Sequence, residues 1–274
     1  MAELPAPVLL VGGGRMGGAL LAGWLERGLA PGAALVVEPD ASRRAELEAR
    51  HTGVRTFADA AGLPADFAPA VVVIAVKPQV LDAVLPAYRE LAARAGFVLS
   101  IVAGRPISAF TAILGPVPVV RTMPNTPAAI GRGMTVLCAG AGVDAAIRRQ
   151  AEALMGAVGE TAWVEDEELM HAVTAVSGSS PAYVFLLAEA LERAAREVGL
   201  AAALARRLSR ATVSGAGALL ARSAEDAAQL RRNVTSPGGT TEAALSVLMR
   251  EGGLVDLMVE AVRAAERRSR ELAG

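Results

Sequence analysis

The sequence predicts an α/β protein: a doubly wound, mostly parallel sheet in the N-terminal half, followed by an all-helical C-terminal region. Three observations predict it. Short runs of valine, isoleucine and leucine recur through the first 164 residues with helical patterns between them. That alternation is expected of a parallel sheet covered by helices on both faces. The first run, residues 7–11, feeds directly into Gly12-Gly13-Gly14-Arg15-Met16-Gly17 and then into a helical pattern. Strand signals end at Trp163 and Val164, and from Leu169 onward the apolar spacing is helical. The division is therefore placed between residues 1–164 and 165–274, and a chain of 274 residues suits about two domains.

Composition narrows the function classes. Hydrophobic residues make up 53% of the chain and aromatics only 3%, so alanine, valine and leucine must fill the core. A formal net charge of −1 argues against nucleic acid or an anionic membrane as the main partner. Cys138 is the only cysteine, which excludes an internal disulfide and suits a reducing, cytoplasmic setting. With that one cysteine and two histidines, a zinc site is not expected. No basic leader ahead of an apolar segment is read, and the β-branched run at 71–76 is far too short to span a bilayer.

In order, residues 7–11 read as a buried strand and residues 12–17 as G-x-G-x-x-G. Between a strand and a helix this motif points to a dinucleotide. Gly12 permits the tight turn, Gly14 lets the backbone approach a pyrophosphate, and Gly17 lets the helix pack closely. A purely structural glycine turn is the bland alternative. Residues 34–37 form a second strand, ending at Glu38. Glu38 lies about 20 residues beyond Gly17, where an acidic side chain commonly holds the adenosine ribose 2′-hydroxyl. Arg43 and Arg44 follow and could hold a 2′-phosphate instead. The two signals conflict; the balance favours NADH, with dual use open.

Residues 40–50 read as a charged helix, 53–57 as a third strand and 64–69 as a loop. The continuous apolar run 71–76 is typical of a strand buried on both faces. It ends in Lys77-Pro78-Gln79, at the carboxyl edge where open α/β sheets bind ligands. A helix is predicted over 80–94, strands over 97–102, 118–121 and 134–138, and small residues Ala103-Gly104 leave room beside a ring. The acidic stretch 165–168 suits a helix start. The helices at 183–198 and 202–220 are apolar on wide faces, and burial in a subunit interface explains them better than a self-contained bundle.

Near the C-terminus, residues 233–241 (N-V-T-S-P-G-G-T-T) break one helical pattern and lead into another. A threonine ahead of such a run reads as an N-cap. A glycine-rich lead-in to a helix start is a ready site for a small anion, carboxylate included. Locally, an ordinary capped turn explains the pattern as well.

Taken together the segments resemble the pyrroline-5-carboxylate reductase family over nearly the whole chain. The matching pieces are residues 11–18, 75–79, 100–104, 120–127 (V-R-T-M-P-N-T-P), 174–185 (T-A-V-S-G-S-S-P-A-Y-V-F) and 233–241. The resemblance implies a Rossmann domain for NADPH or NADH and a helical domain exchanged between two subunits, so that the active site forms across a homodimer. Rings such as a pentamer of dimers are implied too. Gly12, Gly14, Arg15, Met16, Gly17 and Glu38 would bind cofactor, with Ala75, Val76, Lys77, Pro78, Ile101, Val102 and Ala103 lining it. Asn125 would lie towards the nicotinamide. Asn233, Val234, Ser236, Gly239, Thr240 and Thr241 would bind substrate, with the Gly239, Thr240 and Thr241 amides on its carboxylate. Thr241, as the catalytic residue, would meet the ring nitrogen. Three positions depart from the pattern: Ser180 replaces a glycine, Arg232 replaces an acidic residue, and only Asp59 stands where an asparagine near the ribose is common.

The implied reaction is hydride transfer to the C=N carbon of 1-pyrroline-5-carboxylate, giving L-proline. A β-hydroxyacid dehydrogenase has a similar layout but uses a lysine from its helical domain, and this chain has no lysine after Lys77. A cofactor-binding regulator that has lost catalysis is a rival of another class, disfavoured by the intact glycine loops. Of the remaining candidates, His171 reads as a helix-surface residue, Tyr183 as packing, Cys138 as an inert strand thiol and Lys77 as a cofactor contact.

Overall fold

A computed structural model describes residues 3–273. The chain divides into two compact units, one running through Gly178 and taking back the residues from Glu266 onward, the other Ser179–Ala265. The first unit thus extends past Val164 and includes the end of the final helix.

The first unit opens with β1 (Val8–Val11), α1 (Arg15–Glu26), β2 (Ala34–Val37), α2 (Ala41–Arg50), β3 (Arg55–Phe57) and β4 (Val71–Ile74). The region expected as one helix over 80–94 is instead broken. It holds α3 (Leu81–Val84), a 3-10 turn (Leu85–Tyr88) and α4 (Arg89–Arg94). Pro86 is the physical reason, since its ring removes a backbone donor and clashes with the preceding turn. β5 (Phe97–Ser100), α5 (Ile107–Leu114), β6 (Val119–Met123), β7 (Gly133–Ala139), α6 (Ala145–Gly156) and β8 (Gly159–Val164) complete the sheet. Its strand order is β3-β2-β1-β4-β5-β6-β7-β8. Every neighbouring pair is parallel except β6 with β7.

Period-two alternation explains why the central strands are apolar throughout. Val8 and Leu10 of β1 join one core with Leu20, Leu21 and Trp24 of α1 and Leu154 of α6. Leu9 and Val11 point the other way, into a core with Leu81, Leu85, Tyr88 and Phe110. Each fully buried leucine or valine contributes roughly 1.5–3 kcal/mol, so both faces of the sheet are strongly determined. The indole of Trp24 is satisfied by donating to the Leu154 carbonyl at 2.9 Å.

After β8 the chain forms α7 (Leu169–Val173) and a π-helical turn (Thr174–Gly178). The second unit begins with α8 (Ser180–Glu197) and α9 (Ala202–Arg222), which pack as a hairpin through Gly199, whose φ is +96°. It continues with α10 (Ala227–Asn233), α11 (Thr240–Leu248) and α12 (Leu254–Ala273), the last turns of α12 belonging to the first unit. Large apolar side chains remain uncovered on these helices, among them Phe185 and Leu186 of α8 at 67% and 62% exposed. Among the described residues no helix is long and apolar enough to cross a membrane.

Candidate active site

In the first unit, the expected cofactor residues gather at the carboxyl edge of the sheet. The chain leaves β1 at Gly12, whose amide donates to the Val37 carbonyl at 2.8 Å, while Ala75 N donates to Val11 O at 2.8 Å and Ile101 N to Ile74 O at 3.0 Å. The ends of β1, β2, β4 and β5 are thereby tied side by side. Gly12 has φ +103°, and a Cβ there would sit 2.6 Å from the Ala75 carbonyl oxygen. The position needs glycine both for its backbone angle and for space. A Cβ on Gly17 would lie 2.0 Å from Gly12 O, so the glycine lets the first turn of α1 close onto the loop. Gly14 is the opposite case. It is exposed, caps α1, and a Cβ on it would meet nothing within 4 Å. That open space, at the start of a twelve-residue helix with free N-terminal amides, fits a pyrophosphate.

Around this cradle Arg15 and Lys77 are exposed, Met16, Ala75, Val76, Pro78 and Ile101 are half-buried, and Ala103 is exposed. Val102 differs: its side chain is 2% exposed and packed in the core, so only its backbone can face a ligand. Its amide donates to Ser100 Oγ at 3.1 Å. Glu38 is half-buried, accepting from Gly13 N at 2.8 Å and Asp40 N at 3.1 Å.

Asn125 is held between two elements. Its Oδ1 accepts from Met134 N at 2.9 Å, and its Nδ2 donates to Ser177 Oγ at 3.3 Å. Ser177 lies in the π-helical turn, and such turns recur at functional sites. Sequence reasoning gave Ser177 no role; the stretch 174–185 carries the resemblance without showing which side chain it presents.

A half-buried ion pair, to which sequence reasoning gave no role, lies in the same unit. Arg121 of β6 is 3% exposed and pairs with Glu167 at 2.7 Å, and the same carboxylate oxygen accepts from Ile107 N at 2.8 Å. It joins β6, the start of α5 and the approach to α7. Nearby, His171 corrects its reading as a surface residue. It is 6% exposed, with Nδ1 at 2.9 Å from Ser269 Oγ. Burial and then the Arg270 charge hold its imidazole below the ordinary range, so it is a satisfied core histidine. Cys138 is buried as well, and burial followed by Glu167 pushes its thiol up, away from reactivity.

In the second unit the turn 233–241 departs from the expected threonine cap. The N-cap of α11 is Gly239, and the helix starts at Thr240. The extended backbone of Gly239 puts Thr240 and Thr241 in the first turn, while Glu242 reaches back to accept from Gly238 N at 2.8 Å. Gly239 N, expected to meet a carboxylate, already donates to Ser236 O at 3.0 Å and closes the turn. The first amide to donate back into α11 is Ala243 N, to Gly239 O at 3.2 Å. Thr240 and Thr241 therefore present amides without helical partners. Asn233 is engaged locally: its Oδ1 accepts from Gln229 at 2.6 Å and its Nδ2 donates to Glu225 at 3.0 Å. Ser236 and Val234 are exposed, and Thr241 is half-buried. Tyr183 is also half-buried, and Arg232, the departure beside this turn, bonds to Gln229 at 2.6 Å.

The chain is similar to known proteins over nearly its whole length. The family model described as "Pyrroline-5-carboxylate reductase dimerisation" matches residues 167–272, and "NADP oxidoreductase coenzyme F420-dependent" matches residues 7–104. A pyrroline-5-carboxylate reductase of Pseudomonas aeruginosa is 40% identical over 97% of this chain and 96% of its own length. One from Synechocystis is 42% identical over 96% of this chain and 97% of its own. Among solved structures, a pyrroline-5-carboxylate reductase of Coxiella burnetii superposes with a TM-score of 0.91 at 34% identity, covering 98% and 99% of the two chains. A Plasmodium falciparum pyrroline carboxylate reductase with NADP bound superposes at 0.82 with 25% identity, covering 99% and 100%.

Proposed function

The chain belongs to the pyrroline-5-carboxylate reductase family and reduces 1-pyrroline-5-carboxylate to L-proline with NAD(P)H; we propose that the glycine cradle at 12–17 and the turn at 233–241 carry the reaction. The observation that carries the substrate assignment is the open start of α11, where the amides of Thr240 and Thr241 precede the first internal bond of the helix.

NAD(P)H, when bound, supplies the hydride that adds to the C=N carbon. Gly12, Gly14, Arg15, Met16 and Gly17 hold its pyrophosphate, Glu38 its ribose, and the backbone at 75–78 and 101–103 lines its length. Asn125, fixed by Met134 N and Ser177, orients the nicotinamide end. The Thr240 and Thr241 amides and the Ser236 hydroxyl take the substrate carboxylate, aided by the positive end of the helix dipole. Gly239 supports them by closing the turn, and Asn233 and Val234 by fixing its entry. Holding the carboxylate sets the C=N carbon at near-attack distance. The Thr241 hydroxyl donates a hydrogen bond to the ring nitrogen. A threonine is too weak an acid to supply the proton, which comes with an iminium from solution or through a bound water.

The working unit is a homodimer built on the helical unit, and the uncovered apolar faces of α8 and α9 support this. In the proposed arrangement the turn of one subunit serves the cofactor held by its partner. Five such dimers form a ring, and the enzyme works in the cytoplasm, where a lone buried cysteine remains a thiol. The domains are assigned as 1–164 for cofactor and 165–274 for substrate and dimerisation. The test is NAD(P)H oxidation with 1-pyrroline-5-carboxylate beside a 3-hydroxy acid and a non-carboxylated imine. Turnover confined to the first supports the assignment, and its absence overturns it. Light scattering reads the assembly.

A further inference from the structure

The edge of β2 holds both an acidic group and two arginines, which in the sequence alone make opposite claims on the adenosine ribose. Their hydrogen bonds separate those claims. Glu38 is fixed against the glycine turn, accepting from Gly13 N at 2.8 Å through one oxygen and from Asp40 N at 3.1 Å through the other. Each carboxylate oxygen has two acceptor sites, so both retain capacity for a ribose hydroxyl.

The arginines are turned elsewhere. Arg43 donates from Nε to Gly13 O at 2.7 Å and from Nη2 to Gly14 O at 3.4 Å, and pairs with Glu46 at 2.5 Å. Arg44 donates from Nη1 to Glu38 O and Pro39 O, both at 2.8 Å. A Cβ on Gly18 would lie 2.5 Å from Arg43 Nη2, so the guanidinium is seated against the start of α1. Arg43 clamps the carbonyl side of the loop whose Gly13 amide binds Glu38.

We infer that this chain selects NADH over NADPH, with Glu38 as the discriminating residue and Arg43 as a positioning clamp for the glycine loop and not a phosphate acceptor. The inference rests on the proposed cofactor site. A 2′-phosphate would set two negative charges beside a fixed carboxylate, and recruiting either arginine would break bonds that shape the loop. The fold itself admits the phosphate, since the Plasmodium falciparum relative was solved with NADP bound.

The test measures kcat/KM for NADH and NADPH with 1-pyrroline-5-carboxylate, and calorimetric binding of AMP and 2′-phospho-AMP to the free enzyme. The wild type is expected to favour NADH, and AMP, by about tenfold or more, the scale of one close charge repulsion in a polar setting. Glu38→Ser should shift the NADH/NADPH ratio towards NADPH by about tenfold or more. Arg43→Ala should weaken both cofactors alike. A wild-type ratio at or below one, a ratio unmoved by Glu38→Ser, or a selective loss of NADPH in Arg43→Ala would each overturn the inference. Absence of turnover with either cofactor would sink the assigned reaction, while the nucleotide-binding ratio would still decide this point.

Discussion

Gly14 and Gly17 lie three residues apart, one capping α1 and the other in its first turn, yet alanine at each should fail differently. At Gly17 the added Cβ falls 2.0 Å from the Gly12 carbonyl oxygen, which is backbone and cannot swing aside. Overpacking of this kind costs about 1–3 kcal/mol or more. Alanine recovers about 1 kcal/mol of helix propensity, leaving a net loss of roughly 2 kcal/mol at the upper end, or about 4–8 °C in Tm at about 2–4 °C per kcal/mol. At Gly14 the Cβ meets no protein atom within 4 Å. The loss there is about 1 kcal/mol from a poorer N-cap. A methyl in the pyrophosphate's path should nevertheless raise the cofactor KM about tenfold, or ~1.4 kcal/mol. Thermal unfolding beside cofactor titration separates the two. A Gly14→Ala enzyme with wild-type KM for both NADH and NADPH would refute the cradle, and an unshifted Tm in Gly17→Ala would refute the packing argument.

Other expectations follow from the same geometry. Thr241→Ala should lower kcat/KM by one to two decades, about 1–3 kcal/mol for an unmade hydrogen bond, and wild-type kinetics would remove Thr241 from the site. Phe185→Glu places a charge on the uncovered face of α8; it should yield monomers in light scattering with activity down about a hundredfold, and an intact dimer would exclude that face. His171, held below its ordinary 6.5 chiefly by burial, favours the native state fully above that pH. Its contribution is lost as pH falls through the depressed value, because the unfolded chain then binds more protons. His51 is lowered in the same direction, mainly by burial. His171→Gln should therefore reduce, without abolishing, the fall in Tm between about pH 7 and pH 5, and an unchanged slope would contradict it.

Much of the first unit was legible because its signals are local. Continuous apolar runs name strands buried on both faces, and β2 begins and ends where Ala34 and Val37 were read. The glycine loop carried its own logic: Gly12 needs its positive φ, and Gly17 its close approach. Pro86 lies inside the run whose spacing predicts one helix over 80–94, and it divides that run because its ring removes a backbone donor. The cap of α11 differs from the threonine that the sequence pattern predicts. Threonine is a common cap, but the extended backbone of Gly239 makes the glycine the cap and puts both threonines inside the helix.

The alternating sheet, the dinucleotide loop and the helical second region follow from periodicity and short spacings along the chain, and the family from the resemblance of its motifs. Which polar atoms are already taken is settled by contacts between segments distant along the chain. His171 and Ser269 lie far apart in sequence and meet in the interior. Asn125 finds Ser177 across 52 residues. Gly239 N is spent on its own turn, and Arg43 on the loop that Glu38 also holds. Hydrogen-bond capacity is finite and is assigned in space, so a residue's type states what it can do and only its neighbours state what remains for a ligand.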